Sequence, residues 1–119
     1  PDEGFQIAQN MLQAHPDIRI IFGQADGLAM GAAKAVQVAS LADQVIVGGY
    51  DGDGAALKSL VTCDTPFVVT ATQSTQAMGV LAVNSAIAVA NGASVPARQI
   101  PNAVLTTCDN AAKFVEKHP

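Results

Sequence analysis

Strand-like and helix-like segments alternate along almost the whole chain, and this alternation restricts the possible folds more than any other feature of the sequence. Between the strand-like runs, apolar residues recur at the spacing of one helix face. Strands that alternate with helices form parallel sheets, because a parallel connection needs a crossover long enough to hold a helix. The sequence therefore predicts an α/β domain with a parallel sheet, whose strands are expected at 18–22, 45–47, 67–70 and 103–106.

The longest predicted helix, over 75–90, does not fit a self-contained domain. Its apolar residues cover nearly the whole circumference. A helix that is apolar all round must be buried on most sides. The few predicted strands cannot cover it, so we expect a further layer of protein to pack on Met78, Val80, Leu81, Val83, Ala86, Ile87, Val89 and Ala90.

Composition excludes several classes of function. The 119 residues fit one domain of ordinary size, and half of them are apolar. The net charge is −4, with six scattered Lys and Arg, so the chain cannot build the basic face that a nucleic-acid binder needs. Asn84 and Ser85 interrupt the most apolar stretch, which is shorter than the ~18 residues of a membrane span.

The chain opens at Pro1, from which we expect a mature, trimmed or truncated product.

Polar residues follow three of the predicted strands, in the segments 23–27, 49–54 and 70–73. In a parallel α/β sheet, ligands bind at the carboxyl ends of the strands, where turns and helix amino termini converge. These three segments are therefore the candidate ligand-binding edge.

Three side chains of this edge are candidates, each with a structural alternative. Asp51 can accept charge-assisted hydrogen bonds from adjacent hydroxyls of a polyol, or can be an ordinary turn residue. Gln73 offers one acceptor and two donors, or is a solvated polar residue. Asp26 is a candidate ligand contact, although a cap of the following helix is the favoured interpretation. Asp53 is interpreted as a helix cap or a solvated acid.

Signals for an enzyme or a metal site are weak. Gly52 begins a run like a dinucleotide-binding fingerprint, but Leu57 stands where the third glycine belongs. The acids Asp51 and Asp53 have the spacing of a calcium loop, which would need Glu where Thr62 stands. No nucleophile is paired with a base. We therefore predict no catalytic residue, no metal and no cofactor.

The two cysteines, Cys63 and Cys108, have no metal or redox spacing. They are interpreted as unpaired, half-buried thiols. A disulfide between them would suit an oxidising compartment, and that alternative stays open.

Several runs resemble, in order along the chain, the ribose-binding protein family of ABC importers, which are type I periplasmic binding proteins. These runs are 4–18, 21–32, 45–52, 70–73, 78–79 and 105–110. The resemblance implies a flavodoxin-like, three-layer lobe, which is half of a two-lobed protein that closes on its ligand. It also implies a periplasmic location, or a membrane-anchored extracellular one in a Gram-positive host. A sugar or polyol ligand and an ABC transporter permease are the implied partners.

The resemblance also divides the chain. Residues 1–73 would belong to the second, carboxyl-terminal lobe, and 74–101 to a hinge crossing and a helix that packs on the first lobe. Residues 102–119 would form the return hinge segment and a terminal turn. The resemblance implies that an amino-terminal lobe lies outside these 119 residues, so we expect this part of the protein to bind that lobe or to self-associate.

Family site residues fall on three positions of this sequence. The Asp of the Gly-aromatic-Asp-Gly motif, which binds sugar hydroxyls, corresponds to Asp51, and the family's polar residue at the third crossing corresponds to Gln73. Ala25 stands where the family has an Asn before Asp26. The loss of that amide favours a smaller polyol, a deoxy or modified sugar, or a ligand held by main-chain groups.

The alternative is the effector-binding domain of a lactose-repressor-type transcription regulator, which shares the fold. Such domains carry an acidic pair after the aromatic and a Leu-Thr-Thr-Val run near the third strand. This chain has Asp51-Gly52 and the run Phe67-Val68-Val69-Thr70 instead. Transport is therefore the preferred interpretation.

Overall fold

A computed structural model describes residues 1–115, which fall into two compact units. The first unit joins Pro1–Thr72 to the segment from Leu105 onward, and the second is Gln73–Val104. The last four residues of the predicted terminal segment, 116–119, lie outside the described residues.

The first unit is built around a sheet of four strands, which lie side by side in chain order: β1 (Ile20–Phe22), β2 (Ile46–Asp51), β3 (Phe67–Thr72) and β4 (Val104–Thr107). The pairs β1–β2 and β2–β3 are both parallel, which confirms the predicted α/β class. Helices connect the successive strands. The helices, in chain order, are α1 (Asp2–Ala14), α2 (Asp26–Val38), α3 (Gly54–Thr62), α4 (Thr75–Ala90) and α5 (Ala112–Val115).

Apolar residues of three layers form the core. Leu12 of α1 and Val36 of α2 belong to one buried cluster with Val47 and Phe67, which come from neighbouring strands. Burying one side chain of this size stabilises the fold by about 1.5–3 kcal/mol, so this core fixes the strands from which the polar turns emerge.

Strand β2 runs further than the sequence predicts. Gly48 and Gly49 look like a turn that ends β2 at Val47, but both glycines are buried and pair with β3. Gly49 has a packing reason to be glycine, because a Cβ there would overlap Oδ1 of Asp26. The strand therefore continues to Asp51, which is its last residue.

The interpretation of the two cysteines as free thiols is wrong. Cys63 and Cys108 form a disulfide, with their Cα atoms 5.7 Å apart. Cys63 ends α3 in the left-handed conformation, and Cys108 directly follows β4. The two cysteines are 45 residues apart in sequence, and the whole second unit lies between them in the chain.

The second unit consists mainly of α4, whose predicted bounds are confirmed. The helix begins after Ser74, whose hydroxyl accepts a 3.2 Å hydrogen bond from the N–H of Ala77. The loop after the helix is held by Gln99, whose amide donates a 3.0 Å hydrogen bond to the hydroxyl of Ser85. No residue of α4 is buried. Over residues 1–115, neither this helix nor any other has the length and apolarity to cross a membrane.

Candidate functional site

The carboxyl ends of β1 and β2 meet at one edge of the sheet, because the two strands are parallel. The turns that follow them carry Ala25 and Asp26 on one side and Asp51 to Asp53 on the other. The structure thus brings the predicted ligand-binding residues Ala25, Asp26 and Asp51 to one edge of the first unit.

The carboxylate of Asp26 connects these turns. Its side chain is fully buried. Oδ2 accepts hydrogen bonds from the backbone N–H groups of Gly52, at 2.8 Å, and Asp53, at 2.9 Å. Oδ1 accepts a 2.7 Å bond from the hydroxyl of Thr70 on β3. One carboxylate therefore ties the β1–α2 turn to the β2–α3 turn and to β3.

The interpretation of Asp26 as a helix cap is wrong. Helix α2 begins at Asp26 and has Ala25 as its N-cap, and no side chain caps it. The carboxylate turns away from its own helix toward the β2–α3 turn, where buried N–H groups need an acceptor. Asp53, by contrast, is confirmed as a cap: its carboxylate accepts a 2.9 Å hydrogen bond from the N–H of Ala56 in α3.

Burial raises the pKa of Asp26, because the charged form loses its hydration in the interior. The hydroxyl of Thr70 and the N–H groups of Asp53 and Gly52 oppose this effect, since they donate to the charged form. The negative charge of nearby Asp53 adds a smaller increase. The balance leaves the pKa of Asp26 above the ordinary value of 3.8.

Asp51 ends β2 in a conformation that is unusual for its residue type. Its φ is 124°, and the φ of the following Gly52 is 77°. A non-glycine residue in this region costs about 1–3 kcal/mol and persists only where its surroundings impose it. Gly52 is also enclosed, because a Cβ there would meet the side chain of Thr72. The half-buried Asp51 therefore belongs to a tightly constrained turn.

The other two predicted residues differ in their placement. Ala25 is half-buried in an extended conformation, and its carbonyl accepts from the N–H groups of Leu28 and Ala29. Gln73 is half-buried and is the first residue of the second unit, directly after Thr72, whose partner across the sheet is Asp51.

Sequence reasoning placed the threonines of β3 at the candidate edge but did not predict their buried hydrogen bonds. Besides Thr70, the buried hydroxyl of Thr72 shares a 2.6 Å hydrogen bond with that of Thr106 on β4. The sequence does carry a signal for these bonds: Thr70 and Thr72 are two residues apart in an otherwise apolar strand, so their hydroxyls lie on the same face of the sheet. Within residues 1–115, no three His, Cys, Asp or Glu side chains are grouped so that they could hold a metal ion.

Most of the chain is similar in sequence to known binding proteins. Residues 1–94 match the model of a family described as periplasmic binding protein domain. The ribose import binding protein of Salmonella typhimurium is 35% identical over 96 residues, which are 81% of this chain and 31% of that protein. The chain thus spans about a third of the length of this relative.

Two solved structures are similar over almost the whole chain. An ABC transporter solute binding protein from Mycobacterium smegmatis with bound glycerol has 34% identity and a TM-score of 0.84, over 95% of this chain and 38% of its own. One from Bacillus halodurans with bound myo-inositol has 30% identity and a TM-score of 0.83, over 98% and 39%. All three similar proteins are binding proteins, so the comparisons give no support to the regulator alternative.

Proposed function

The chain belongs to the periplasmic binding protein family, and we propose that it is part of the solute-binding component of an ABC importer. In this proposal, the first unit is part of the second, carboxyl-terminal lobe, and the ligand is a sugar or polyol held between two lobes. The observation that supports it best is the constrained turn that presents Asp51 at the carboxyl edge of the parallel sheet.

Asp51 is the main ligand contact in this proposal. An ionised carboxylate at a strand end can accept hydrogen bonds from two adjacent hydroxyls, and such bonds are stronger than neutral ones. The similar solved structures contain glycerol and myo-inositol, both of which carry adjacent hydroxyls. Gln73 would add an amide after the third strand. The turn of Ala25 and Asp26 would form a third side of the site.

Ala25 would influence which ligands the site binds. A methyl group replaces the amide that the family pattern has at this position, so the site offers one donor and acceptor fewer. This change favours a smaller polyol, a deoxy or modified sugar, or a ligand that hydrogen-bonds to main-chain groups.

Helix α4 would pack on an amino-terminal lobe. The matched relative is about two and a half times as long as this chain, which leaves room for such a lobe. On α4, Val80, Val83 and Ile87 are each more than half exposed. In this division, 1–73 form the ligand-binding lobe, 74–101 the hinge crossing with the helix for the first lobe, and 102–119 the return segment. Without that lobe, the chain would self-associate.

The protein would act outside the cytoplasm, in the periplasm or anchored at an outer cell surface. The matched family is one of periplasmic binding proteins. The disulfide agrees with this location, because such bonds persist in oxidising compartments. The loaded protein would deliver its ligand to an ABC transporter permease.

Capture without chemical change is the expected activity. The similar proteins are binding proteins rather than enzymes. We expect the complete protein to return sugars and sugar phosphates unchanged, as measured by chromatography after prolonged incubation. Hydrolysis or phosphorylation that disappears on Asp51→Ala would contradict this part of the proposal.

Titration calorimetry of the complete protein against D-ribose, glycerol, myo-inositol and other monosaccharides and polyols tests the function. We expect saturable binding of at least one compound, with one site per chain. Asp53→Asn is a suitable control for variants of Asp51, because it removes a charge from the same turn and Asn still caps α3. Absence of binding across the panel would contradict the proposal.

A further inference from the structure

Asp26 has a hydrogen-bonding pattern that its place in the sequence does not explain. It is the first residue of α2, yet it bonds to none of that helix's N–H groups. Its three donors are Gly52, Asp53 and Thr70, at distances of 2.7 to 2.9 Å. A fully buried carboxylate is costly unless hydrogen bonds compensate for its lost hydration. All of that compensation comes from the turn after β2 and from β3.

The two backbone donors directly follow Asp51. Because Asp51 and Gly52 both have positive φ, the chain bends so that the N–H groups of Gly52 and Asp53 point at the same oxygen, Oδ2 of Asp26. Gly49 leaves space for this carboxylate, because the Cβ of any other residue there would overlap Oδ1 of Asp26. The conformation of Asp51 and the position of the Asp26 carboxylate are therefore coupled.

We propose that Asp26 is a positioning residue for the ligand site: its buried carboxylate holds the turn of Gly52 and Asp53, and so fixes Asp51 in the orientation that receives ligand hydroxyls. Asp26 itself does not touch the ligand. The effect on ligand affinity rests on the proposed function. The effect on the turn does not, since it can be observed without any ligand.

The substitution that tests this is Asp26→Asn in the complete protein. In one orientation the amide's NH₂ group faces the N–H groups of Gly52 and Asp53 and cannot accept from them. In the other it donates to the hydroxyl of Thr70, and a neutral amide oxygen then accepts from the two N–H groups with bonds about half as strong as those of a carboxylate. The matched control is Asp53→Asn, which makes the same chemical change at an exposed position of the same turn. A second control, Val36→Ala, removes buried volume from α2 and lowers stability away from the turn.

The first measurement is hydrogen exchange of the Gly52 and Asp53 amides by NMR. We expect Asp26→Asn to accelerate exchange at both amides more than Val36→Ala does at matched stability. The second is calorimetry with myo-inositol and D-ribose under conditions where every variant is folded. We expect about tenfold or greater loss of affinity for Asp26→Asn and unchanged affinity for Val36→Ala.

The outcomes separate this proposal from a merely structural role. If Asp26→Asn keeps its affinity while folded, or if the two amides keep their protection, the proposal is wrong. If Asp26→Asn does not fold, amide exchange in the unsubstituted protein decides: Gly52 and Asp53 amides that exchange as fast as solvent-exposed ones overturn the proposal. If the unsubstituted protein binds neither compound, that counts against the proposed ligand class, and the amide exchange still decides the role of Asp26 in the turn.

Discussion

Oδ2 of Asp26 accepts a 2.8 Å hydrogen bond from the N–H of Gly52, a residue 26 positions further along the chain. This bond connects the amino terminus of α2 to the turn that follows β2. Because Gly52 directly follows Asp51, the geometry of the strongest candidate ligand residue depends on a carboxylate that is itself fully buried.

The first prediction concerns the pH dependence of stability. Burial raises the pKa of Asp26 in the folded protein above its ordinary value of 3.8, so the folded state binds this proton more tightly than the unfolded state. The contribution of this group to the free energy of unfolding is therefore fully present below pH 3.8 and is lost as the pH rises through the raised pKa. Urea unfolding at a series of pH values measures it.

Two variants distinguish Asp26 from other acids in that measurement. Asp26→Asn should remove this component of the pH dependence, while Asp53→Asn should retain most of it. Identical pH profiles for the unsubstituted protein and Asp26→Asn would show that the pKa of Asp26 is not shifted by folding.

The second prediction concerns the disulfide. A bond that closes a loop of 45 residues reduces the entropy of the unfolded chain and stabilises the folded protein by about 4 kcal/mol. Replacing both Cys63 and Cys108 by Ser should lower the free energy of unfolding by about that amount. Urea unfolding with and without a reductant checks this. The double variant should be insensitive to reductant, and equal stability of the two proteins without reductant would contradict the prediction.

The third prediction concerns α4. Because Val83 and Ile87 lie one helical turn apart and are both more than half exposed, we expect the isolated chain to self-associate through this apolar surface. Replacing both by Lys should reduce association measured by sedimentation velocity and should lower the binding of a hydrophobic dye. An unsubstituted chain that sediments as a compact monomer without dye binding would contradict it.

The fourth prediction uses Ala25→Asn, which restores the amide of the family pattern. If the native ligand fits the ordinary sugar volume, the variant should gain affinity for pentoses such as D-ribose. If Ala25 makes room for a bulkier or apolar group, the variant should lose the native ligand instead. Calorimetry against the polyol and monosaccharide panel separates these results, and an unchanged ligand profile would show that Ala25 does not line the site.

The elements that local sequence determines were predictable. Helix α4 was predicted with its observed bounds because its stop at Asn91 and Gly92 is a local signal. The parallel α/β class followed from the alternation of strands and helices. The division of the chain into lobe, hinge and return segment stays a prediction.

Long-range partners were not predictable. Asp26 looked like a helix cap because its acidic side chain precedes a helix, whereas its true partners lie 26 to 44 residues away. The pair Gly48 and Gly49 looked like a turn because glycine is common in turns. The actual need for a small residue at Gly49 comes from a distant side chain, the carboxylate of Asp26. The pairing of Cys63 with Cys108 depends on the end of α3 meeting the end of β4, which no local pattern indicates.

The most direct test of the account is the affinity of Asp51→Ala in the complete protein, measured by calorimetry with the compound that the unsubstituted protein binds best. Each hydrogen bond to the carboxylate contributes about 1.5–3 kcal/mol, and its loss leaves ligand hydroxyls unpaired in the closed cleft. We expect affinity to fall about a hundredfold or more, with a smaller loss for Gln73→Ala and little change for Asp53→Asn. Unchanged affinity in a folded Asp51→Ala protein would contradict the assignment of this edge as the ligand site.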